Sequence, residues 1–246
     1  MWTSDSFLRI WKKSVDWLKV HPIASVAIAL AVYVLAEVFF LPFNDIKALR
    51  SKNPMTTAFM REHAEKAKEE GRGFSKRQTW VGLKEIPKDV VNAVIISEDG
   101  TFWSHRGFDW YEFRESIERN VDEGRPARGA STITQQLVKN LYLSSSKNPL
   151  RKMKEWILTW WMERILSKSR ILELYLNVIE FGDAVYGVEA ASRVYFDKSV
   201  QMITRAEAAR LAAIIPSPRR HKADSDQPYV VRRTELILER MTARGL

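Results

Sequence analysis

Gly129–Asn140 reads GASTITQQLVKN. Ser131 is a good helix N-cap, and the residues after it carry two faces at helical spacing. Ile133, Leu137 and Leu141 line an apolar face. Thr132, Gln135, Gln136 and Lys139 recur at i, i+3, i+4 and i+7 on another. That second face holds hydroxyls, amides and a single cation, whereas an ordinary solvated face mixes charges of both signs. Neutral donors beside one lysine suit a sugar or a phosphate; a buried structural polar network is the plainer alternative. The same helical period governs the chain from Trp80 onward, with Gln78–Leu83 as the best short extended stretch. The expected fold is therefore mainly α, with a domain over residues 76–246.

Upstream, Ile86-Pro87 opens another helix, because proline suits a first helical turn. Val91, Val94 and Ile95 share a face that ends in Glu98, and Gly100 is a plausible stop. A carboxylate at the end of an apolar stripe is costly unless used, since desolvation makes it a stronger base. Phe102, His105 and Gly107 follow in EDGTFWSHRG. Read alone, the segment also fits a solvated Glu-Asp pair at a frayed helix end. Downstream, Asn148 and Pro149 mark the start of NPLRKMKE, with Arg151, Lys152 and Lys154 in the first turns. Cations there oppose the helix dipole at a cost of several tenths of a kcal/mol each, yet with the free N–H groups they make an anion site. An ion pair of Arg151 with Glu155 is the bland reading, and it leaves Lys152 and Lys154 unexplained. Trp156, Trp160 and Trp161 suit a core or a lipid surface better than substrate stacking. KSRILELYLN, Lys168–Asn177, looks mainly structural, with Glu173 and Asn177 as inter-helix contacts. Gly182 and Gly187 then break the chain, and Arg232 and Arg233 belong to a closing helix.

The N-terminal part differs. Ile23–Leu41 reads IASVAIALAVYVLAEVFFL, with Glu37 as its one charge. At about 1.5 Å per residue such a helix nearly spans a hydrocarbon core of roughly 30 Å. Ala29-Leu30-Ala31 could pass as a cleavage site, but the apolar run continues beyond it, which favours an uncleaved signal anchor over residues 22–42. Residues 1–21 are then a short cytoplasmic segment. Residues 43–75 form a juxtamembrane linker with an exposed helix over REHAEKAKEEG, Arg61–Gly71. Arg9, Lys12, Lys13 and Lys19 before the span are matched by Lys47, Arg50 and Lys52 after it, so charge asymmetry gives only a weak orientation. The chain holds 39 Lys+Arg, 30 Asp+Glu and no cysteine, a formal charge of +9. That excludes disulfides, thiolate zinc sites and thiol catalysis, and it points to an anionic partner. Dispersed basic residues and the lack of a recognition motif disfavour nucleic acid.

Taken together, four segments resemble glycosyltransferase family 51, the peptidoglycan glycosyltransferases. They are Glu98, Asp99, Phe102, His105 and Gly107; Ser131 to Asn140; Arg151, Lys152 and Glu155; and Ile171 to Asn177. Order and spacing agree over about residues 76–240. Gly100 and Thr101 depart mildly from the pattern, where larger polar residues are common. A mobile segment expected of the family would fall on Asn120–Arg128, NVDEGRPAR. The chain looks like the monofunctional form. Ser144-Ser145-Ser146-Lys147 formally matches a serine–lysine motif of the transpeptidase found in two-domain relatives, but no Lys-Thr-Gly follows.

The resemblance implies a lysozyme-like helical fold and lipid II as substrate. It implies Glu98 as general base toward the acceptor 4-hydroxyl, with inversion to a β-1,4 link and loss of undecaprenyl pyrophosphate. Glu155 would be the second catalytic carboxylate, as proton relay or as ligand of a water or of a divalent Mg or Mn ion; no cofactor is required. Lys139, Arg151, Lys152 and, at lower rank, Lys147 would hold the pyrophosphate. Asp99, Phe102, His105, Ser131, Thr132, Gln135, Gln136 and Asn140 would contact substrate. The implied partners are lipid II, the growing glycan strand, the membrane and penicillin-binding or division proteins. The implied location is the bacterial inner membrane, single-pass, with the catalytic domain outside the cytoplasm. Two other classes compete: a membrane-anchored lysozyme-like hydrolase, which has no need of cations around Glu155, and a non-enzymatic protein that binds anionic lipid, which has no need of Glu98.

Overall fold

A computed structural model describes Trp17 and residues 20–123, 131–146 and 148–246. The chain divides into two compact units, Met1–Pro42 and Phe43–Leu246. The first contains helix α1, Pro22–Phe39, opened by proline and with no buried side chain. An 18-residue window of this apolar stretch has a mean hydropathy of 2.4, which makes it long and apolar enough to cross a membrane. Arg9, Lys12, Lys13 and Lys19, weighed above for orientation, lie outside the described residues.

The second unit runs α2 Phe43–Ala48, α3 Ala58–Glu69, β1 Arg77–Gln78, α4 Lys88–Glu98, α5 Trp110–Glu123, α6 Ile133–Tyr142, α7 Pro149–Ile165 and α8 Lys168–Val178. It continues β2 Glu180–Gly182, β3 Val185–Tyr186, α9 Val188–Phe196, α10 Arg205–Ile214 and α11 Pro228–Ala243. The mainly α expectation holds. The expected linker over residues 43–75 is instead part of the packed unit. Ile46, Leu49, Met60 and Ala67 are buried, and Arg170 of α8 donates to the carbonyls of Leu49 and Lys52 at 2.8 and 3.0 Å. Apolar residues so thinly spread among charges gave no clear stripe.

α8 sits at the centre. Ile171, Leu172, Leu174, Tyr175 and Leu176 are all fully buried, and only Ser169 in its first turn is exposed. α6 packs on both α7 and α8, while α4, α10 and α11 pack on one another. α10 brings Ala208, Ala209, Ala212 and Ala213, all fully buried, to that second group; small residues allow close helix approach. The sheet is small, in the order β1-β3-β2, with β1 parallel and β2 antiparallel to β3. Past β1 the chain stays extended without a strand partner. Asn177 of α8 supplies one: its Oδ1 accepts from Val81 N–H and its Nδ2 donates to the Val81 carbonyl, both at 2.9 Å. Gly187 turns the chain back at φ +81, where a Cβ would lie 2.7 Å from the Asn177 carbonyl oxygen.

Candidate active site

Glu98 is the last residue of α4, at the point where the two helix groups meet. Its side chain is 9% exposed. Gln136 Nε2, from α6, donates to Oε2 at 3.0 Å. Ser97 Oγ donates to Oε1 at 3.1 Å, and Arg233 Nη2, from α11, lies 3.4 Å from the same oxygen. Arg233 also donates to Ser97 Oγ at 2.9 Å. The Gln136 amide is held in one orientation, because its Oε1 accepts from Tyr175 O–H at 2.8 Å. Burial, then the charges of Glu98 and Asp99, raises the Tyr175 pKa well above its ordinary value, so Tyr175 stays a donor. The apolar stripe of α4 does end in this carboxylate, with Val94 and Ile95 buried. Beside the desolvation expected there, the Arg233 guanidinium stands next to the carboxylate.

The residues just after Glu98 are engaged with one another and with the start of α6. Asp99 is buried; it accepts from His105 Nε2 at 2.8 Å and from Ile133 N–H, the first of α6, at 2.9 Å. His105 Nδ1 accepts from Gly107 N–H at 3.1 Å, so the neutral ring carries its proton on Nε2. Thr132 O–H donates to the Gly107 carbonyl at 2.8 Å. This closed set ties the 99–107 loop to the start of α6. Phe102 is wholly buried beneath it and is a core residue. Thr132, not Ser131, is the N-cap of α6, and with Gln135 it forms a capping box that occupies both buried side chains. The face expected to meet sugar thus divides. Thr132 and Gln135 fix the helix, and Ser131 lends its carbonyl to Gln136 at 3.4 Å. Gln136 and Lys139 point to the two carboxylates.

Glu155 lies nearly two turns into α7 with its side chain 3% exposed. Arg151 Nη1 holds Oε2 at 2.7 Å, and Lys152 Nζ holds Oε1. Arg151 Nε also donates to the Ser146 carbonyl at 2.6 Å, anchoring the loop before α7. Asn148 caps the helix by accepting from Leu150 N–H at 2.9 Å. Lys139 enters from α6. Its pKa is lowered mainly by burial; Glu155 raises it, and Arg151 and Lys152 lower it further. Its ammonium stands 5.3 Å from the Phe59 ring centre and has no ion pair among the described residues. Asn140 is buried and donates to the Gln136 carbonyl at 2.8 Å, a structural role. Lys147 lies outside the described residues, as do 124–128 of the stretch expected to be mobile, whose first residues extend α5 to Glu123. Both Glu155 oxygens are held by cations, and the described residues contain no group of three His, Asp or Glu side chains that could hold a divalent ion by themselves.

Two helices not singled out for function complete the site: α11 with Arg233 and α8 with Tyr175. Glu62 of α3 is a third addition. It takes Ser145 N–H at 3.0 Å and the Ser145 hydroxyl, bracing the loop that leads to Arg151. Burial raises its pKa, but the hydrogen bonds from Ser145 and Lys66 outweigh that and hold it at about 2. No local pattern marks these contacts, since each joins residues far apart in sequence.

A family profile described as transglycosylase matches residues 64–242. The chain belongs to the transglycosylase family. Among its relatives is a biosynthetic peptidoglycan transglycosylase of Nitrosospira multiformis, 39% identical over 217 residues, covering 87% of this chain and 94% of that protein. One of the same name from Janthinobacterium sp. (strain Marseille) is 37% identical over 239 residues, covering 97% and 100%. A third, from Chromobacterium violaceum, is 41% identical over 192 residues, covering 78% and 84%. The family places the domain in the lysozyme-like glycosyltransferase fold.

Proposed function

We propose that this protein polymerises peptidoglycan glycan strands from lipid II. The observation that carries the reading is the contrast between two buried carboxylates served by one helix. Gln136 of α6 touches Glu98, and Lys139, three residues on, enters the cluster around Glu155. Residues at i and i+3 lie on one helix face roughly 5–6 Å apart, so a donor and an acceptor sugar could be held side by side along it. Family membership and the relatives' names support the same activity.

In the proposed reaction the acceptor 4-hydroxyl oxygen forms a bond to the anomeric carbon of the growing chain. Glu98 takes the hydroxyl proton. The bond from that carbon to the lipid pyrophosphate breaks, and its electron pair leaves with the pyrophosphate, inverting the centre to a β-1,4 link. Negative charge grows on the leaving group, and Lys139, Arg151 and Lys152 are already in place to stabilise it. Two carboxylates with opposite tasks need different surroundings. Glu98 sits among an amide, a hydroxyl and one guanidinium; Glu155 sits among cations. The step needs no metal and no cofactor. Lipid II and the strand are the substrates, and penicillin-binding or division proteins are proposed as companions. α1 anchors the chain in the inner membrane, with the catalytic unit outside the cytoplasm.

Labelled lipid II incubated with the purified full chain, with no nucleotide sugar, should yield long glycan strands. Shortening of preformed strands in place of synthesis would make it a hydrolase, and neither outcome would reduce it to a binding protein; either result overturns the reading.

A further inference from the structure

A cavity of about 710 Å³, lined by neither Glu98 nor Glu155, opens between the loop at 103–106 and the C-terminal half of α7. Trp103, Arg106, Trp160, Glu163, Arg164 and Lys168 form its wall. Arg151 lies in the first turn of α7, about 20 Å of helix from Arg164 at about 1.5 Å per residue, and Glu155 stands between them, outside the lining. The cavity is therefore separate from the cluster assigned above to the pyrophosphate.

Its charge is unbalanced. Glu163 is taken by Lys168 at 2.8 Å and by the Thr134 hydroxyl. Arg106 and Arg164 are both exposed and have no ion pair among the described residues. The guanidinium carbon of Arg164 lies 4.1 Å from the centre of the Trp160 ring. Such stacking engages the face of the group and leaves its N–H fork available to a phosphate. The aromatic surface is unbalanced too. Trp103 is 54% exposed and Trp160 47%, and the stripe continues through Trp156 to Trp110, whose rings lie 6.5 Å apart. Half-exposed indoles beside arginines are the composition of a membrane interface, where an apolar ring meets hydrocarbon and a cation meets phosphate. The same chain carries α1, apolar enough to cross a membrane, so lipid headgroups are within reach of the domain.

We propose that this cavity holds the headgroup of an anionic phospholipid. Arg106 and Arg164 bind its phosphate, and Trp103 and Trp160 lie against its glycerol and upper acyl chains. A lipid so held would be a fixed element of the domain and not a substrate, because neither Glu98 nor Glu155 lines the cavity.

The test uses the full chain in detergent micelles with phosphatidylglycerol or phosphatidylcholine added at equal concentration, and native mass spectrometry to count retained lipid. The variants are Arg106→Gln with Arg164→Gln, Trp160→Ala, and a charge-matched control, Arg220→Gln with Lys222→Gln, on an exposed surface elsewhere. The wild type should retain phosphatidylglycerol over phosphatidylcholine. The double arginine variant should weaken that retention about 25-fold, on the order of 1 kcal/mol per arginine, and the control should not. Trp160→Ala should weaken both lipids. A thermal melt within a degree or two of wild type would show the variants folded. Equal retention of the two lipids by the wild type, or equal losses in the arginine variant and the control, would overturn the proposal.

Discussion

The two carboxylate corners are built in opposite ways. Glu155 draws its partners from its own helix: Arg151 and Lys152 stand one turn before it, at i−4 and i−3. Glu98 draws its partners from across the fold. Gln136 is 38 positions away and Arg233 is 135. The first corner forms wherever α7 forms. The second exists only when α4, α6, α8 and α11 have all packed. A cationic cluster can thus be set locally, while the environment of a base depends on the completed tertiary structure.

The comparison can be broken experimentally. Short of removing Glu98 itself, Arg151→Ala should act most strongly. It leaves a buried carboxylate with one cation instead of two. Losing a partner of a buried pair costs roughly 3–5 kcal/mol, and with Lys152 remaining the lower end is expected. Strand synthesis should fall roughly 10²–10³-fold as leaving-group stabilisation is lost. Adding Glu155→Gln should recover the melting temperature and not the synthesis; unchanged synthesis in Arg151→Ala would remove the electrostatic role. Gly107→Ala tests the link between the corners. Gly107 sits at φ +92, and a Cβ would come within 2.9 Å of Thr159 Cγ2 on α7. Denaturant titration should report a loss of about 2 kcal/mol.

Arg233→Gln is aimed at the long-range corner. Turnover should drop roughly tenfold, about 1.4 kcal/mol of transition-state stabilisation, with lipid II affinity kept and partial rescue by Arg233→Lys. A loss confined to affinity would assign Arg233 to substrate instead. The smallest effect concerns Glu62, which braces the loop before Arg151. Its folded pKa of about 2 is below the ordinary 4.5. A depressed carboxylate contributes stability that is full above the unfolded value and is lost as pH falls through the folded one. Melting temperatures of Glu62→Gln should therefore be less sensitive than wild type to acid between about pH 4.5 and pH 2; identical acid limbs would contradict this.

The same contrast explains what could be read in advance. Helix periods, the Asn148-Pro149 start, the Glu155 cluster and the apolar run of α1 are local patterns, and each was legible. Glu98 at the end of its stripe was legible as a costly carboxylate, but Arg233 and Tyr175 were not legible as its neighbours. Thr132 and Gln135 were ambiguous for a physical reason. A capping box and a sugar-binding face use the same hydroxyls and amides, and only burial separates them. Phe102 and Asp99 lie in a motif beside Glu98, yet they serve the core and the start of α6. The packing of residues 43–75 was missed because Ile46, Leu49, Met60 and Ala67 are too dispersed to form a stripe.

The most direct measurement takes one preparation of Glu98→Gln and determines both its affinity for labelled lipid II and its rate of strand synthesis. Glutamine keeps the shape of the corner and one of its two acceptor oxygens, and it cannot accept the proton. Affinity should stay within a few-fold of wild type while synthesis falls by roughly 10²–10⁴, the usual worth of a general base. Synthesis at the wild-type rate, with lipid II bound as tightly, would contradict the assignment of Glu98.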